Sequence, residues 1–143
     1  MHGLIKCGAV TTGALSAVLG LVPSPAHSMA ALQPAQTTLV STMNPSLYGE
    51  LVRFVDRVCP ANPSSTSPTP TGTVTFQEGD MVLARGVLFP VGGTGPCSMT
   101  MVVIRFMRLG THTVTALYSG DVNYSSGPLE SVRQSVRRRL PTA

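Results

Sequence analysis

The sequence has 143 residues, with no Trp, four Phe and three Tyr, and sixteen of its residues are charged. This length fits one domain of ordinary size, whose core must be built mainly from aliphatic side chains. Of the ten basic residues, Lys6 lies near the N-terminus and Arg137, Arg138 and Arg139 lie near the C-terminus, which leaves six arginines against six acidic residues in between. Such a near-neutral body argues against a large nucleic-acid-binding surface.

The N-terminal segment is typical of a secretory signal peptide. Lys6 is followed by sixteen uncharged residues, Cys7 to Val22, which are rich in Ala, Val, Leu and Gly. Two prolines then break the run, and the small residues of Ala26–Ser28 resemble a signal-peptidase site; Ser28–Ala30 is a second candidate. The run is shorter than the ~20 residues that a membrane-spanning helix needs. We expect a signal peptide over residues 1–28 and no membrane span in the mature chain; an uncleaved anchor and a buried core helix are the alternatives.

The next part of the chain predicts two strands and a long loop. Residues 29–36 are expected to form a flexible leader before a first strand at Thr37–Ser41. Leu51–Val58 reads as a second strand, with Leu51, Arg53, Val55 and Arg57 on one face and Val52, Phe54, residue 56 and Val58 on the other. Pro60–Thr71 contains four prolines and no periodic pattern, so it is either an interdomain linker or a loop. A loop is favoured because too few residues precede it to form another domain.

The middle of the chain predicts three further strands separated by turns and a Gly-rich loop. Glu78-Gly79-Asp80 has the composition of a turn, and Pro90–Pro96 that of a flexible loop. The last of the three segments is apolar on both faces, so it reads as a well-buried central strand. The predicted strands are Thr73–Gln77, Met81–Leu88 and Ser98–Phe106.

The most regular alternation of the sequence lies between Gly110 and Tyr124. His112, Val114, Ala116 and Tyr118 fall on one face, and threonines and Ser119 fall on the other, which predicts a half-buried antiparallel strand. A last strand is predicted at Ser131–Val136, followed by a basic tail over residues 137–143. About seven strands with no helical periodicity predict an all-β, two-sheet antiparallel sandwich.

Three ordered segments resemble a bacterial immunoglobulin-like repeat domain. The segments are Thr37–Ser41 with the turn after it, Pro70–Phe76, and Gly110–Tyr124 with its Tyr-Ser-Gly-Asp turn. The resemblance implies an Ig-like sandwich over residues 37–136 in a secreted or cell-surface protein, with a non-enzymatic structural or adhesive role. The expected core residues are Phe54, Val74, Phe76, Val114, Ala116, Tyr118 and Tyr124.

Asp56 departs from the family pattern. Comparison with the family puts Val52, Phe54, residue 56 and Val58 on the inward face, and the family has a small apolar residue where this chain has Asp56. A carboxylate facing the core must be paired or partly protonated, because burying an unpaired charge is costly. Arg105 and His112 are the candidate partners. The alternative is a strand-end carboxylate that reaches solvent.

Cleavage of the signal peptide would leave two cysteines, Cys59 and Cys97, in an oxidising compartment where disulfides persist. Cys59 ends the second predicted strand, and Cys97 begins the strand that aligns with the fifth strand of an Ig-like sandwich. These strands are antiparallel neighbours in that topology, so we predict a disulfide between Cys59 and Cys97. Two unpaired thiols are the alternative, because the register must bring the residues within narrow limits.

The sequence carries no pattern that indicates catalysis. His112 is the one histidine of the predicted mature domain, and it lies on the inward face of a strand, where a hydrogen-bonded structural role is expected. No Gly-x-Ser-x-Gly elbow and no close-spaced zinc pair is present. Asp121 and Asn123 could supply oxygens to calcium, or Asp121 could cap backbone amides in an Asx turn with Tyr124 packed beneath. We expect no enzyme activity, no metal and no cofactor.

The partner expected from these observations is a surface protein or a glycan. A carbohydrate- or calcium-binding module that uses the Ser/Thr/Gly-rich loops is the alternative function. No nucleic-acid partner is expected. The tail arginines Arg137, Arg138 and Arg139 are expected to be solvated, and the alternative is a weak contact with an anionic surface.

Overall fold

The computed structural model of the chain describes Gly20 and residues 30–93, 95–127 and 129–141. The chain divides into two units, Met1–Ala30 and Ala31–Ala143. Only Gly20 and Ala30 of the first unit are described, so the predicted signal peptide lies outside the described residues. Among the residues described, no helix is long and apolar enough to cross a membrane.

The described part of Ala31–Ala143 is built from β-strands joined by turns and loops. Seven strands have six or more residues, as the alternation predicts, and two have only two. In chain order they are β1 (Ala35–Ser41), β2 (Ser46–Leu47), β3 (Leu51–Pro60), β4 (Thr73–Glu78), β5 (Met81–Val87), β6 (Phe89–Pro90), β7 (Ser98–Arg105), β8 (Gly110–Tyr118) and β9 (Glu130–Arg137).

The strands form two sheets that pack as a sandwich. One sheet has the order β1-β3-β7-β6 and the other β2-β9-β8-β4-β5, and every pairing is antiparallel except that of β2 with β9. The predicted all-β, two-sheet Ig-like sandwich is therefore confirmed. The connection after β3, which includes most of the proline-rich segment, carries the chain from one sheet to the other and is a loop rather than a linker.

Alternation explains which residues form the core. Successive side chains of a strand point to opposite faces, so β3 buries Val52, Phe54, Asp56 and Val58 while the residues between them lie outward or partly exposed. The seven residues that we expected in the core are all fully buried between the sheets. They are Phe54, Val74, Phe76, Val114, Ala116, Tyr118 and Tyr124.

The expectation that the strand over Ser98–Phe106 is buried on both faces is wrong. β7 buries Ser98, Thr100, Val102 and Ile104, but the side chains that alternate with them lie on the outer face. Met101 is 47% exposed and Val103 is 53% exposed. An apolar run therefore does not imply double burial here, because the outer face of this four-stranded sheet is not covered by any described residue of the sandwich.

The first strand begins earlier than expected. β1 starts at Ala35 rather than Thr37, because Ala35 and Gln36 continue the ladder opposite Pro60 and Cys59. Gln33 forms an isolated parallel bridge with Tyr124. The end of the segment that we expected to be a flexible leader is therefore bonded into the sandwich.

The two faces of β8 predict unequal mutational costs. Tyr118 is fully buried, whereas Thr113 is exposed on the outer face. We expect Tyr118→Ala to lower the free energy of unfolding by roughly 3 kcal/mol or more, because it leaves a large cavity. Thr113→Ala is expected to cost well under about 1 kcal/mol. Chemical denaturation of both variants checks this, and equal costs would show that the faces are misassigned.

Candidate functional site

Cys59 and Cys97 form a disulfide where β3 ends and β7 begins. The β3–β7 register pairs Val58 with Ser98, so the two cysteines form the next opposed pair, and their Cα atoms are 4.4 Å apart. This separation lies within the range that a disulfide spans. The predicted bridge is confirmed, and the alternative of two unpaired thiols is wrong. We call this part of the sandwich, with the loops that meet there, the disulfide end.

The Asp121 carboxylate joins two loops at the disulfide end. Its Oδ2 accepts hydrogen bonds from the backbone N–H and the hydroxyl of Thr71 at 2.7 and 2.9 Å, and its Oδ1 accepts from the N–H groups of Asn123 and Tyr124 at 2.7 and 2.8 Å. Burial acts to raise the pKa of Asp121, but these hydrogen bonds to the charged form outweigh it and lower the pKa. The geometry is that of an Asx turn that also binds the loop before β4.

Two buried tyrosines also donate hydrogen bonds to the loop before β4. The Tyr118 hydroxyl donates to the carbonyl of Thr71 at 2.8 Å, and the Tyr124 hydroxyl donates to the carbonyl of Pro68 at 2.6 Å. Burial, with the nearby charge of Asp121, raises the pKa of both phenols. Both tyrosines therefore stay neutral hydrogen-bond donors, and their role here is structural.

Removing the Asp121 carboxylate should loosen this loop layer. We expect Asp121→Ala to lower the free energy of unfolding by about 1–3 kcal/mol, because donors of Thr71, Asn123 and Tyr124 lose a charged acceptor. Amide hydrogen exchange should accelerate at these three residues. Val122→Ala is the matched control, since its side chain is 88% exposed and should change neither quantity. Unchanged exchange in Asp121→Ala would contradict the role given to the carboxylate.

The same hydrogen bonds bear on calcium binding. A calcium site uses six to eight oxygens, whereas the two oxygens of Asp121 already accept four hydrogen bonds from Thr71, Asn123 and Tyr124. A cation at Asp121 would have to displace these donors. The described residues also contain no group of three or more His, Cys, Asp or Glu side chains that could hold a metal ion.

His112 is held by two acceptors. Its Nδ1 lies 2.9 Å from a carboxylate oxygen of Glu78, and its Nε2 lies 3.0 Å from the carbonyl oxygen of Arg108. The ring also contacts Phe106, with centroids 4.7 Å apart. Both ring nitrogens are thus engaged in the structure of the strand, which is the arrangement expected of a structural histidine rather than of a general base.

Asp56 is fully buried, so the alternative of a strand-end carboxylate that reaches solvent is wrong. Neither carboxylate oxygen has a hydrogen-bond partner among the described residues. The suggested partners do not meet it, because His112 binds Glu78 and the Arg105 side chain lies on the outer face. Burial, and to a smaller extent the charge of Glu130, raises the pKa of Asp56 from 3.8 to about 7.

A buried polar network at the opposite end of the sandwich was not anticipated from the sequence. Gln134 is fully buried, and its Nε2 donates to the carbonyl of Met43 at 2.7 Å and to the Ser46 hydroxyl at 3.1 Å. Its Oε1 accepts a hydrogen bond from the Ser41 hydroxyl. The amide therefore fixes the turn between β1 and β2 onto β9. Its sequence signal is a polar residue at an inward position, between Val132 and Val136.

The outer face of the four-stranded sheet carries an exposed apolar row. Val40, Val55 and Met101 are aligned side by side across β1, β3 and β7. Val40 is 50% exposed, and Met101 is 47% exposed. Val103 and Leu51 extend the apolar area along the sheet, and both are more than half exposed. We call these five residues the apolar face.

Arginines flank the apolar face on both sides. On one side of the Val55–Met101 pair, Arg57 pairs with Met99. On the other side, Arg53 pairs with Val103. Arg105 pairs with Leu51 one row further along. The residues that point outward from β1, β3 and β7 include three arginines and no Asp or Glu. The face therefore combines exposed apolar area with positive charge.

The tail arginines lie beside a cavity. Arg137 is the last residue of β9, and Arg138 and Arg139 follow it. With Tyr48 and Leu109, these last two arginines line a cavity of about 460 Å³. We call this cavity and its four lining residues the basic-end cavity. It lies at the end of the sandwich opposite the disulfide end, because β8 begins there.

A two-sheet antiparallel sandwich with an inward-facing aromatic cluster and a Tyr-anchored loop layer defines an immunoglobulin-like module. The family model of the bacterial Ig-like domain (group 3) matches residues 38–137. The chain therefore belongs to the bacterial Ig-like domain (group 3) family, as the resemblance implied. Comparison with curated proteins finds no match.

Proposed function

We propose that this protein is a secreted or cell-surface, non-enzymatic Ig-like module that adheres to a partner protein through its apolar face. The observation that carries the proposal is the apolar row on an open sheet in which Val40 and Met101 are exposed on either side of the half-buried Val55. Contiguous exposed apolar area on a soluble domain marks a surface that binds a partner. The sandwich supplies a rigid support, since these side chains come from paired strands and not from loops.

The charges on this face specify the chemistry of the partner. Arg53 and Arg105 lie beside the apolar residues, and no outward-facing residue of β1, β3 or β7 is Asp or Glu. A partner that presents apolar side chains rimmed by Asp or Glu would be complementary in both respects. A second copy of the chain would bring arginines against arginines, so self-association through this face is disfavoured.

The location is supported by the disulfide and by the N-terminal sequence. Disulfides persist in oxidising compartments such as the periplasm and the extracellular space. Membership of the bacterial Ig-like domain family is consistent with a cell-surface role. The uncharged run Cys7–Val22, followed by small residues, supports export through a signal peptide.

The titratable groups near the core support a structural role. His112 is held between Glu78 and a backbone carbonyl, and Asp121 is saturated by loop donors. Asp56 is enclosed in the core and is not part of an open cleft. The alternative of carbohydrate or calcium binding through the Ser/Thr/Gly-rich loops is weaker, because polar groups such as Ser98 and Asp121 bond internally.

The proposal is tested by binding of the purified protein to a panel of immobilised acidic matrix and envelope proteins. We expect the variant Met101→Asp with Val103→Asp to bind at least about tenfold more weakly, because it places carboxylates against a carboxylate-rimmed partner. Thr111→Asp with Thr113→Asp is the matched control, with the same charges on the exposed face of β8. Binding should also weaken as the salt concentration rises.

Three results would contradict the proposal. Equal binding of both double variants would show that the apolar face is not the contact. Sedimentation of the wild type as a dimer that Met101→Asp dissociates would assign the face to a second copy. Binding to anionic lipid vesicles that exceeds binding to every protein of the panel would assign the face to a membrane surface.

A further inference from the structure

The basic-end cavity is held together by backbone pairing. Ser46 and Leu47 pair with Val136 and Arg137, and the N–H of Tyr48 donates to the carbonyl of Arg137 at 2.9 Å. These contacts fix the start of the tail beside the turn that carries Tyr48. Arg138 and Arg139 follow directly, so their backbone leaves the sheet at the cavity.

The turn that carries Tyr48 is well defined. The N–H of Glu50 donates to the carbonyl of Leu47 at 3.0 Å, and the N–H of Leu47 donates to the Glu50 carboxylate at 2.8 Å. Gly49 has φ of 74°, which is the glycine position of a type II turn. The N–H of Gly49 also donates to the carbonyl of Phe106 at 2.9 Å. Tyr48 thus projects from a bonded turn and is 47% exposed.

The wall of the cavity comes from a third segment. Leu109 directly precedes Gly110, which pairs with Val136 in β9, and Leu109 is 47% exposed. The cavity is therefore lined by one aromatic residue, one aliphatic residue and two arginines, contributed by three segments of the chain. Its volume of about 460 Å³ lies within the range of small-molecule sites.

We propose that the basic-end cavity binds an acidic sugar, as one unit of an anionic polysaccharide. Guanidinium groups of Arg138 and Arg139 match a carboxylate, which Arg binds with two parallel hydrogen bonds. The ring of Tyr48 and the side chain of Leu109 supply apolar surfaces for the C–H face of a pyranose. This site is independent of the apolar face, because it lies at the end of the sandwich and uses other residues.

The lining favours a sugar acid over a simple anion. Phosphate or a lipid headgroup would bind to the arginines alone and would make no contact with the apolar side of the cavity. A neutral sugar would leave two guanidinium groups at the cavity without a partner. A carboxylated pyranose can bind the arginines through its carboxylate and contact Tyr48 and Leu109 through its C–H face.

The test is an NMR titration of the purified protein with tri-galacturonate and, separately, with the neutral galactose trisaccharide of the same linkage. We expect saturable shifts at Tyr48 and Leu109 with the acidic probe and at least about tenfold weaker binding of the neutral one, since charge-assisted hydrogen bonds are lost. Tyr48→Leu should weaken binding of tri-galacturonate about tenfold. Arg138→Gln with Arg139→Gln should abolish saturation.

The controls separate a formed site from a charged tail. Arg85→Gln with Arg133→Gln removes the same charge from exposed positions on β5 and β9, and it should leave the titration unchanged. Inorganic phosphate and vesicles of anionic lipid are the comparison ligands. The proposal is overturned if the neutral trisaccharide binds equally well, if the acidic one fails to bind, or if binding survives Tyr48→Leu and is matched by phosphate or vesicles.

Discussion

Replacing both Cys59 and Cys97 with serine is expected to lower the free energy of unfolding by roughly 4 kcal/mol. The disulfide closes a loop with a sequence separation of 38 residues. In the chain-entropy model, opening a loop of this size increases the conformational entropy of the unfolded chain, and this stabilises the unfolded state by roughly 4 kcal/mol. The loop contains β4 and β5, so the bridge restricts two strands of one sheet as well as joining two strands of the other.

Guanidinium denaturation of the oxidised wild type and of the double serine variant measures this difference. Reduced wild-type protein is the matched control, and it should lose a similar amount of stability because it lacks the same covalent link. A loss below about 1 kcal/mol would contradict the role given to the bridge. It would mean that the unfolded chain is already compact in this region.

Asp56 is expected to make the fold less stable as the pH rises from about 4 to about 7. The pKa of its carboxyl is raised from 3.8 to about 7 in the folded protein, mainly by burial. Between these values the unfolded chain releases the proton while the folded chain keeps it, so rising pH favours unfolding. Each pH unit in this window costs about 1.4 kcal/mol, so the total loss is roughly 4 kcal/mol and is complete above about pH 7.

The comparison is between the wild type and Asp56→Ala, unfolded at a series of pH values from 4 to 8.5. The variant should be about as stable as the wild type at pH 4 and more stable by roughly 4 kcal/mol at pH 8, because it lacks the carboxyl group that causes the pH-dependent loss. The difference between the two proteins should shrink towards pH 4. Asp121→Ala is the control: hydrogen bonds lower the pKa of Asp121 below its ordinary value of 3.8, so its difference from the wild type should stay constant across this series.

Two outcomes would contradict this account of Asp56. A difference between wild type and Asp56→Ala that does not change with pH would show that the carboxyl has a similar pKa in both states. A loss of more than about 2 kcal/mol in the variant would show that Asp56 anchors a polar network that the core needs.

The sequence predicts this fold well where one face of a strand is polar. In β8, threonines alternate with His112, Val114, Ala116 and Tyr118, so the period of two identifies both the strand and its buried face. In β3 both faces contain apolar and charged residues, so the comparison with the family, and not periodicity, predicted that Asp56 faces inward. The structure buries Asp56 together with Phe54 and Val58, because these residues share one face of the strand.

β7 shows where this reasoning fails. Its two faces are both apolar, and periodicity alone cannot distinguish a doubly buried strand from one whose outer apolar face is open. Only the sheet order shows that Met101 and Val103 have no covering layer among the described residues. The sequence therefore shows that both faces of β7 are apolar, but it does not predict that the outer face is exposed.

The basic-end cavity and the Gln134 network depend on contacts between distant segments. Tyr48, Leu109 and Arg138 come from three connections around β2, β8 and β9. β2 has only two residues, which is too short for any alternation to be recognised. The arginines of the tail could be noticed from composition, whereas their proximity to Tyr48 follows only from the parallel pairing of β2 with β9.

The most direct test of an exported, disulfide-closed module is the intact mass of the protein recovered from outside the cell. We predict a chain that begins near Met29 or Ala31, without Cys7, and that is lighter by two hydrogens than its reduced form because Cys59 and Cys97 are joined. Titration of the denatured, unreduced protein should find no free thiol. A protein found in the cytosol that retains Met1 and has free thiols at Cys59 and Cys97 would contradict the account.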